Sequence, residues 1–152
     1  MPEREAGATP VGGRTGHSSG PGIKITEGVA LGFDYGTRHI GVAIGNTVSA
    51  TARPLCVIST GERHTWGAIA TLIEKWQPEV LVVGIARYSD GTAHAMTARC
   101  ERFASRLKGR FGRIVARVDE RYSSAVVGGA AARDDEAAAV ILQQWLHEGA
   151  RA

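Results

Sequence analysis

Cysteine is scarce in this chain. Only Cys56 and Cys100 occur in 152 residues, and no CxxC pair exists. That removes the usual spacing of a structural zinc site and gives no sign of a disulfide framework. Two reduced thiols in a cytoplasmic protein are expected. The histidines add no metal signal, because His39, His64, His94 and His147 form no H-x-H or H-x3-H pattern. No apolar run approaches the ~20 residues a spanning helix requires, so no membrane segment is expected. The first residues carry no apolar signal core either, which argues against secretion. Charge of one sign is also in short supply. The formal net charge is only +3, with a sequence pI of about 9.2. That excess is compatible with a polyanionic partner and does not establish one.

What is present describes an ordinary globular domain, with 43% hydrophobic and 22% charged residues. A chain of this length points to one domain able to bury a core without staples. Residues 1–27 are rich in Gly, Pro, Ser and Thr and have almost no large apolar side chains. Such a stretch buries too little surface to offset its ordering entropy, so a disordered N-terminal extension is expected there, with the folded domain over 28–148.

Patterning supplies the elements. Val29–Tyr35 reads as a buried strand, Gly36-Thr37 as a turn, Ile40–Gly45 as a second strand and Pro54–Ser59 as a third. Trp66, Ile69, Leu72, Ile73 and Trp76 share one helical face, and Gln77-Pro78 ends that helix. Val80–Ile85 is a continuous apolar run, as in a central strand covered on both faces. A second helix puts Met96, Cys100, Phe103 and Leu107 on one side, with Gly109 and Gly112 closing it. Ile114–Val118 is another strand, running out into Asp119-Glu120. The last helix spans Asp134 to about His147, where Val140, Ile141, Gln144 and Trp145 alternate with alanines. Hairpins followed by β-α-β units predict an α/β fold: a mixed five-stranded sheet, three antiparallel strands then two parallel, flanked by helices.

Three carboxylates stand out. Asp34 interrupts an apolar strand, a place charged residues rarely occupy, and burying it costs several kcal/mol unless a partner or cation offsets the loss. Glu120 lies near a strand end, where α/β folds place ligands. Asp134 opens the last helix, a position that also suits plain N-capping. If the first and fourth strands are neighbours, Asp34 and Glu120 can face each other, and the last helix can bring Asp134 to the same edge. Three such acids repel unless hard cations sit between them. Mg2+ or Mn2+ suits oxygen ligands of this kind, and two ions together can drive phosphodiester hydrolysis. Without metal the acids should share protons, so one should titrate high. Asp119 and Asp135 are adjacent acids whose assistance the sequence leaves open.

Basic residues suggest where a polyanion could lie. Arg99, Arg102 and Arg106 share one helical face within a run that continues through Lys108, Arg110, Arg113 and Arg117. Such a run reads as a solvated helix exterior or as a phosphate-tracking surface. Arg38, Arg87 and Arg121 are closer in sequence to the acids and are candidates for direct phosphate contact.

The runs LGFDYGTRHIGVAIG, TARPL, VLVVGIARYSDGT, DERYSS and DDEAAAVILQQWL, in that order, resemble the YqgF/RuvX family. Its members are described as Holliday-junction resolvase-like proteins and as pre-16S ribosomal RNA nucleases. The resemblance covers residues from about 29 to 147. It implies a ribonuclease-H-like fold and a cytoplasmic metal-dependent nuclease that processes the 5′ end of pre-16S rRNA in ribosome biogenesis. The family's motif acids fall on Asp34, Glu120 and Asp134, as catalytic and metal-binding residues. Thr37, Arg38, Arg121 and Ser123 match its polar positions beside those acids. The implied partners are structured RNA, branched DNA and a pre-ribosomal particle, with the chain a monomer or weak homodimer. A branched-DNA endonuclease and a non-catalytic, RNA-binding assembly factor stand as alternatives. One departure is the connection from Glu120 to Asp134, which is short and rich in Gly and Ala where family members often carry a longer, Lys- and Gly-bearing segment.

Overall fold

Side-chain alternation along the first strand sorts the molecule into two sides. In β1 (Val29–Tyr35), Leu31 and Phe33 point to one apolar cluster, and Ala30 points to a second cluster on the opposite face. The computed structural model describes residues 28–122 and 134–151, with the side chains of 121 and 122 excepted. The expected N-terminal extension and the Ser123 position lie outside the described residues.

β1 is followed by β2 (His39–Asn46), β3 (Thr51–Ser59), α1 (Glu62–Trp76), β4 (Val80–Tyr88), α2 (Thr97–Phe111), β5 (Ile114–Tyr122) and α3 (Asp134–His147). The strands form one sheet in the order β3-β2-β1-β4-β5. β1–β2 and β2–β3 are antiparallel, whereas β1–β4 and β4–β5 are parallel. This is the mixed sheet that the element order predicts. β1, in the middle, is covered on both faces and is the most apolar position a short strand can hold.

On one face, Leu31, Phe33, Leu81, Val83 and Ile85 meet Trp66, Ile69 and Ile73 of α1 and Cys100, Phe103 and Leu107 of α2. Each such side chain contributes about 1.5–3 kcal/mol on full burial. On the other face, α3 lays Ala138, Ile141, Leu142 and Trp145 over Ala30, Val80, Val82, Ala116 and Val118. Glycines let α3 approach closely. A Cβ at Gly32 would come within 2.8 Å of Leu142 Cβ, and one at Gly45 within 3.0 Å of Leu142 Cδ2. Small residues on β1 and β2 therefore set the depth of α3, and with it the place of its first turn.

The structure differs from the expectation at several ends. β4 runs to Tyr88 and β5 to Tyr122, paired as far as Tyr88↔Tyr122, so Glu120 sits inside the ladder and not past its end. Backbone pairing continues there although the apolar pattern stops at Val118. Gly109 is internal to α2, and Gly112, with φ 64°, alone stops it. On α3, Val140 is 63% exposed, and the side turned to the sheet runs through Ala138, Ile141, Leu142 and Trp145. β3 begins at Thr51 and carries Pro54 at a register shift opposite Val42 and Ala43, a placement an edge strand tolerates.

Candidate functional site: an acidic cluster at the sheet edge

Asp34 is the sixth residue of β1, near its C-terminal end and not its centre. Alternation puts it on the α3 face, in line with Ala30 and Gly32. Glu120 follows Ala116 and Val118 on the same face of β5. The sheet order sharpens the expected pairing. β1 and β4 are neighbours, as required, but Glu120 stands on β5, one strand farther across. What closes the gap is Gly84 of β4. Glu120 Oε1 lies 3.3 Å from where a Cβ of residue 84 would be, so the carboxylate leans over the bare backbone between the two strands.

Asp134 arrives by a similar device. Gly41 of β2 is the register partner of Asp34, and a Cβ there would lie 1.9 Å from the Asp134 carbonyl oxygen. Only a glycine lets the first turn of α3 rest on the strand beside Asp34. The Asp134 side chain is 44% exposed, and His39 Nδ1 stands 3.9 Å from its Oδ2.

The electrostatic result is concentrated on Asp34. Its carboxyl is pushed up from 3.8 to about 7 by burial, and further by the negative charges of Glu120 and Asp134. This is the high-titrating acid that three clustered carboxylates should produce. The neighbouring acids face elsewhere. Asp119 points to the α2 face, where Arg87 Nε donates to its Oδ1 at 3.2 Å. Asp135 is buried and acts on Cys56 of β3, raising that thiol, whose own burial is the larger cause.

Of the other sequence candidates, Thr37 and Arg38 lie exposed in the β1–β2 turn at this same edge. Their carbonyls accept from Thr60 Oγ1 at 2.7 and 3.1 Å, which ties the turn to the end of β3. Arg87 is not brought to the acids. It lies on the opposite face, engaged with Asp119. Arg121 continues β5 beyond Glu120. The long basic run also divides. Arg117 Nε donates to Glu101 Oε1 at 2.6 Å, Arg113 Nη1 donates to the Pro78 carbonyl at 2.8 Å at the far end of the sheet, and Arg106 and Arg110 both reach Glu62.

Sequence reasoning missed Gly41, Gly84 and His39. The glycines carry no chemistry and reveal themselves only when neighbouring elements are in place. His39 lacks a metal-binding spacing, though its position beside the D-x-G turn is a signal of a kind.

Among the described residues, no group of three or more His, Cys, Asp or Glu side chains is already arranged to hold a metal ion. The donor chemistry nevertheless fits a hard divalent cation. Asp34 is a carboxylate that burial and like charge disfavour, and a cation between it and Glu120 or Asp134 would relieve both.

The chain is similar to known proteins both in sequence and in fold. A family model described as "RuvX: Holliday junction resolvase" matches residues 28–148. A protein of Burkholderia ambifaria, named "Putative pre-16S rRNA nuclease", is 48% identical over 104 residues, covering 68% of this chain and 70% of its own. One of the same name from Burkholderia multivorans is 47% identical over the same shares. Among solved structures, T. thermophilus RuvC in complex with a Holliday junction substrate superposes with a TM-score of 0.52 at 16% identity, over 81% of this chain and 96% of that one. Fowlpox virus resolvase in complex with Holliday junction DNA gives 0.50 at 11% identity, over 79% and 97%. At these identities the likeness is one of fold, which is ribonuclease-H-like.

Proposed function

The chain belongs to the RuvX family, and on that premise we propose that it is a divalent-metal-dependent nuclease that hydrolyses phosphodiester bonds at the 5′ end of pre-16S rRNA. The observation that carries this reading is the convergence of acids on Asp34, whose carboxyl is held near neutrality. The names of the 48%-identical relatives support the RNA substrate. The fold shared with RuvC favours branched DNA as the second substrate to test.

Asp34, Glu120 and Asp134 are the residues that would hold Mg2+ or Mn2+. Such an ion, once bound, lowers the pKa of a water and neutralises charge on the phosphoryl oxygens. The chain itself contributes position. β1 and β5 both pair with β4, which holds the strand ends bearing Asp34 and Glu120 on either side of it. Gly41 holds Asp134 against the strand pair from above. Asp34, pushed up to about 7 in the metal-free chain, has to shed its proton before it can hold a cation, so protonation and metal binding compete near neutral pH. His39 Nδ1, 3.9 Å from Asp134 Oδ2, is close enough to help hold that side chain in place. Thr37 and Arg38, exposed beside the acids, are placed to meet the phosphate, and Arg121 and Ser123 are the further substrate-contact candidates.

Purified protein incubated with structured RNA and with a four-way DNA junction, in Mg2+ or Mn2+, tests the proposal. Cleavage should require the metal and vanish in Asp34→Asn. Hydrolysis that survives both a chelator and that substitution overturns it.

A further inference from the structure

A concavity opens at the same sheet edge as the acids but on the other face. It encloses about 240 Å3 and is lined by Tyr35, Thr60 to Glu62, Trp66, Arg99, Arg102 and Arg106. Tyr35 directly follows Asp34 in β1, and consecutive strand residues point to opposite faces. The cleft is therefore on the far side of the strand that carries the central acid. Its basic wall is the start of α2, which is pinned to β4 because Thr97 Oγ1 donates to the Ala86 carbonyl.

The charges of this cleft are unequal in their freedom. Arg106 Nη2 donates to Glu62 Oε2 at 2.5 Å, and Arg110 Nη2 is 3.6 Å from the same oxygen. Both guanidinium groups also lie over the Trp66 ring, at 5.0 and 4.5 Å. They are structural, joining α1 to α2. Arg102 and Arg99, one and two turns nearer the start of α2, are exposed and form no ion pair among the described residues. Two unpaired guanidinium groups beside a concavity, with its one acid already engaged, attract an anion.

The rings of the cleft say which anion. Trp66 is 7% exposed, stacked on Phe103 and covered by Arg106 and Arg110. Tyr35 is packed on Phe103 at 4.9 Å. Among the described rings of the cleft, Trp66 offers no open face to a base, and Phe103 covers one face of Tyr35. The cleft reads charge without reading a nucleobase, which suits a strand's backbone and not a free nucleotide.

We propose that this cleft is a subsite for a backbone phosphate of the nucleic-acid strand, held by Arg99 and Arg102, where the strand wraps the sheet edge after leaving the acidic cluster. The proposal rests on the nuclease reading and extends it to how the substrate is gripped.

The test is binding of a short single-stranded RNA by the full chain in an Asp34→Asn background, followed by fluorescence anisotropy across a salt series. Adding Arg99→Gln with Arg102→Gln should weaken binding about 10-fold at low salt. It should also reduce the slope of log K against log salt by ~0.7, one phosphate on a single strand. The control pair Arg53→Gln with Lys75→Gln removes the same charge away from the cleft and should change the slope little. Arg99→Lys with Arg102→Lys should restore most of the slope. The subsite is refuted if the cleft pair behaves as the control pair does, or if a nucleoside monophosphate displaces the RNA as well as unlabelled RNA does. Such an outcome removes the subsite alone, whereas cleavage that survives both a chelator and Asp34→Asn, or no cleavage by the wild type at all, removes the metal-dependent nuclease reading and leaves this binding result standing.

Discussion

Replacing Asp34 by Asn should make the metal-free protein more stable, by an amount that grows from about pH 4 and levels off above about pH 7. The Asp34 carboxyl titrates at about 7 in the folded chain and near 3.8 when exposed. Below about pH 4 it is protonated in both states, and its charge costs the fold nothing. As pH rises the unfolded chain ionises first, and by pH 8 the folded chain must also carry the charge, buried and facing Glu120 and Asp134. A raised pKa thus gives stability that is present at low pH and lost as pH climbs through the folded value. The shift is roughly three units, and at ~1.36 kcal/mol per unit the whole loss is about 4 kcal/mol. Asn keeps the shape of the neutral acid and never ionises. Above about pH 8, in chelator, Asp34→Asn should therefore exceed the wild type by roughly 2–4 kcal/mol, the lower figure allowing for solvent that still reaches the carboxyl. That corresponds to about 6–12 °C in Tm for a domain of this size. The assay is urea unfolding at several pH values with EDTA, then with Mg2+. Added metal should raise the wild type at high pH and leave the variant unmoved. A variant less stable than wild type above pH 8, or a gap that does not change with pH, refutes the electrostatic reasoning.

Three further outcomes follow from the same contacts. Glu120→Gln should lower the Asp34 titration from about 7 while keeping it above 3.8, because burial is the larger cause and remains; a carboxyl 13C NMR titration reads this directly. Gly41→Ala places a Cβ 1.9 Å from the Asp134 carbonyl, a backbone atom that cannot swing aside, so α3 must lift. A loss of about 1–3 kcal/mol in urea unfolding is expected, with cleavage falling further than stability does. Cys100 is buried, its thiol pushed up by that burial first and by Asp34 and Glu120 among the lesser causes. It should resist iodoacetamide at neutral pH until the chain unfolds, while half-buried Cys56 labels earlier; mass spectrometry after timed alkylation distinguishes them.

The order of elements was legible because hydrophobic periodicity is a local property. The α1 stripe of Trp66, Ile69 and Ile73 and the unbroken Val80–Ile85 run each announce a type of element without reference to the rest of the chain. Ends were less legible. Arg87–Tyr88 and Asp119–Tyr122 are strand residues because each ladder supplies hydrogen bonds to the other, and no pattern within either stretch says so. The exposure of Val140 likewise depends on which face of α3 the sheet covers.

The candidate site divides along the same line. Asp34 was conspicuous in the sequence as a charge within an apolar strand, and its elevated titration is the consequence of that burial first and of crowding by Glu120 and Asp134 second. The basic run from Arg99 to Arg117 looked uniform, because sequence shows charge and not partners. Folding gave Arg106, Arg110 and Arg117 acids of their own and left Arg99 and Arg102 facing a cleft.

By itself the sequence determined which side chains could do chemistry and which segments would become strands or helices, since composition and spacing act over a few residues. Only the tertiary structure decided that Glu120 reaches toward Asp34 across a third strand, and that Asp134 comes down beside them. Those approaches depend on Gly84 and Gly41, and an absent side chain acquires meaning only when another element fills the space it leaves.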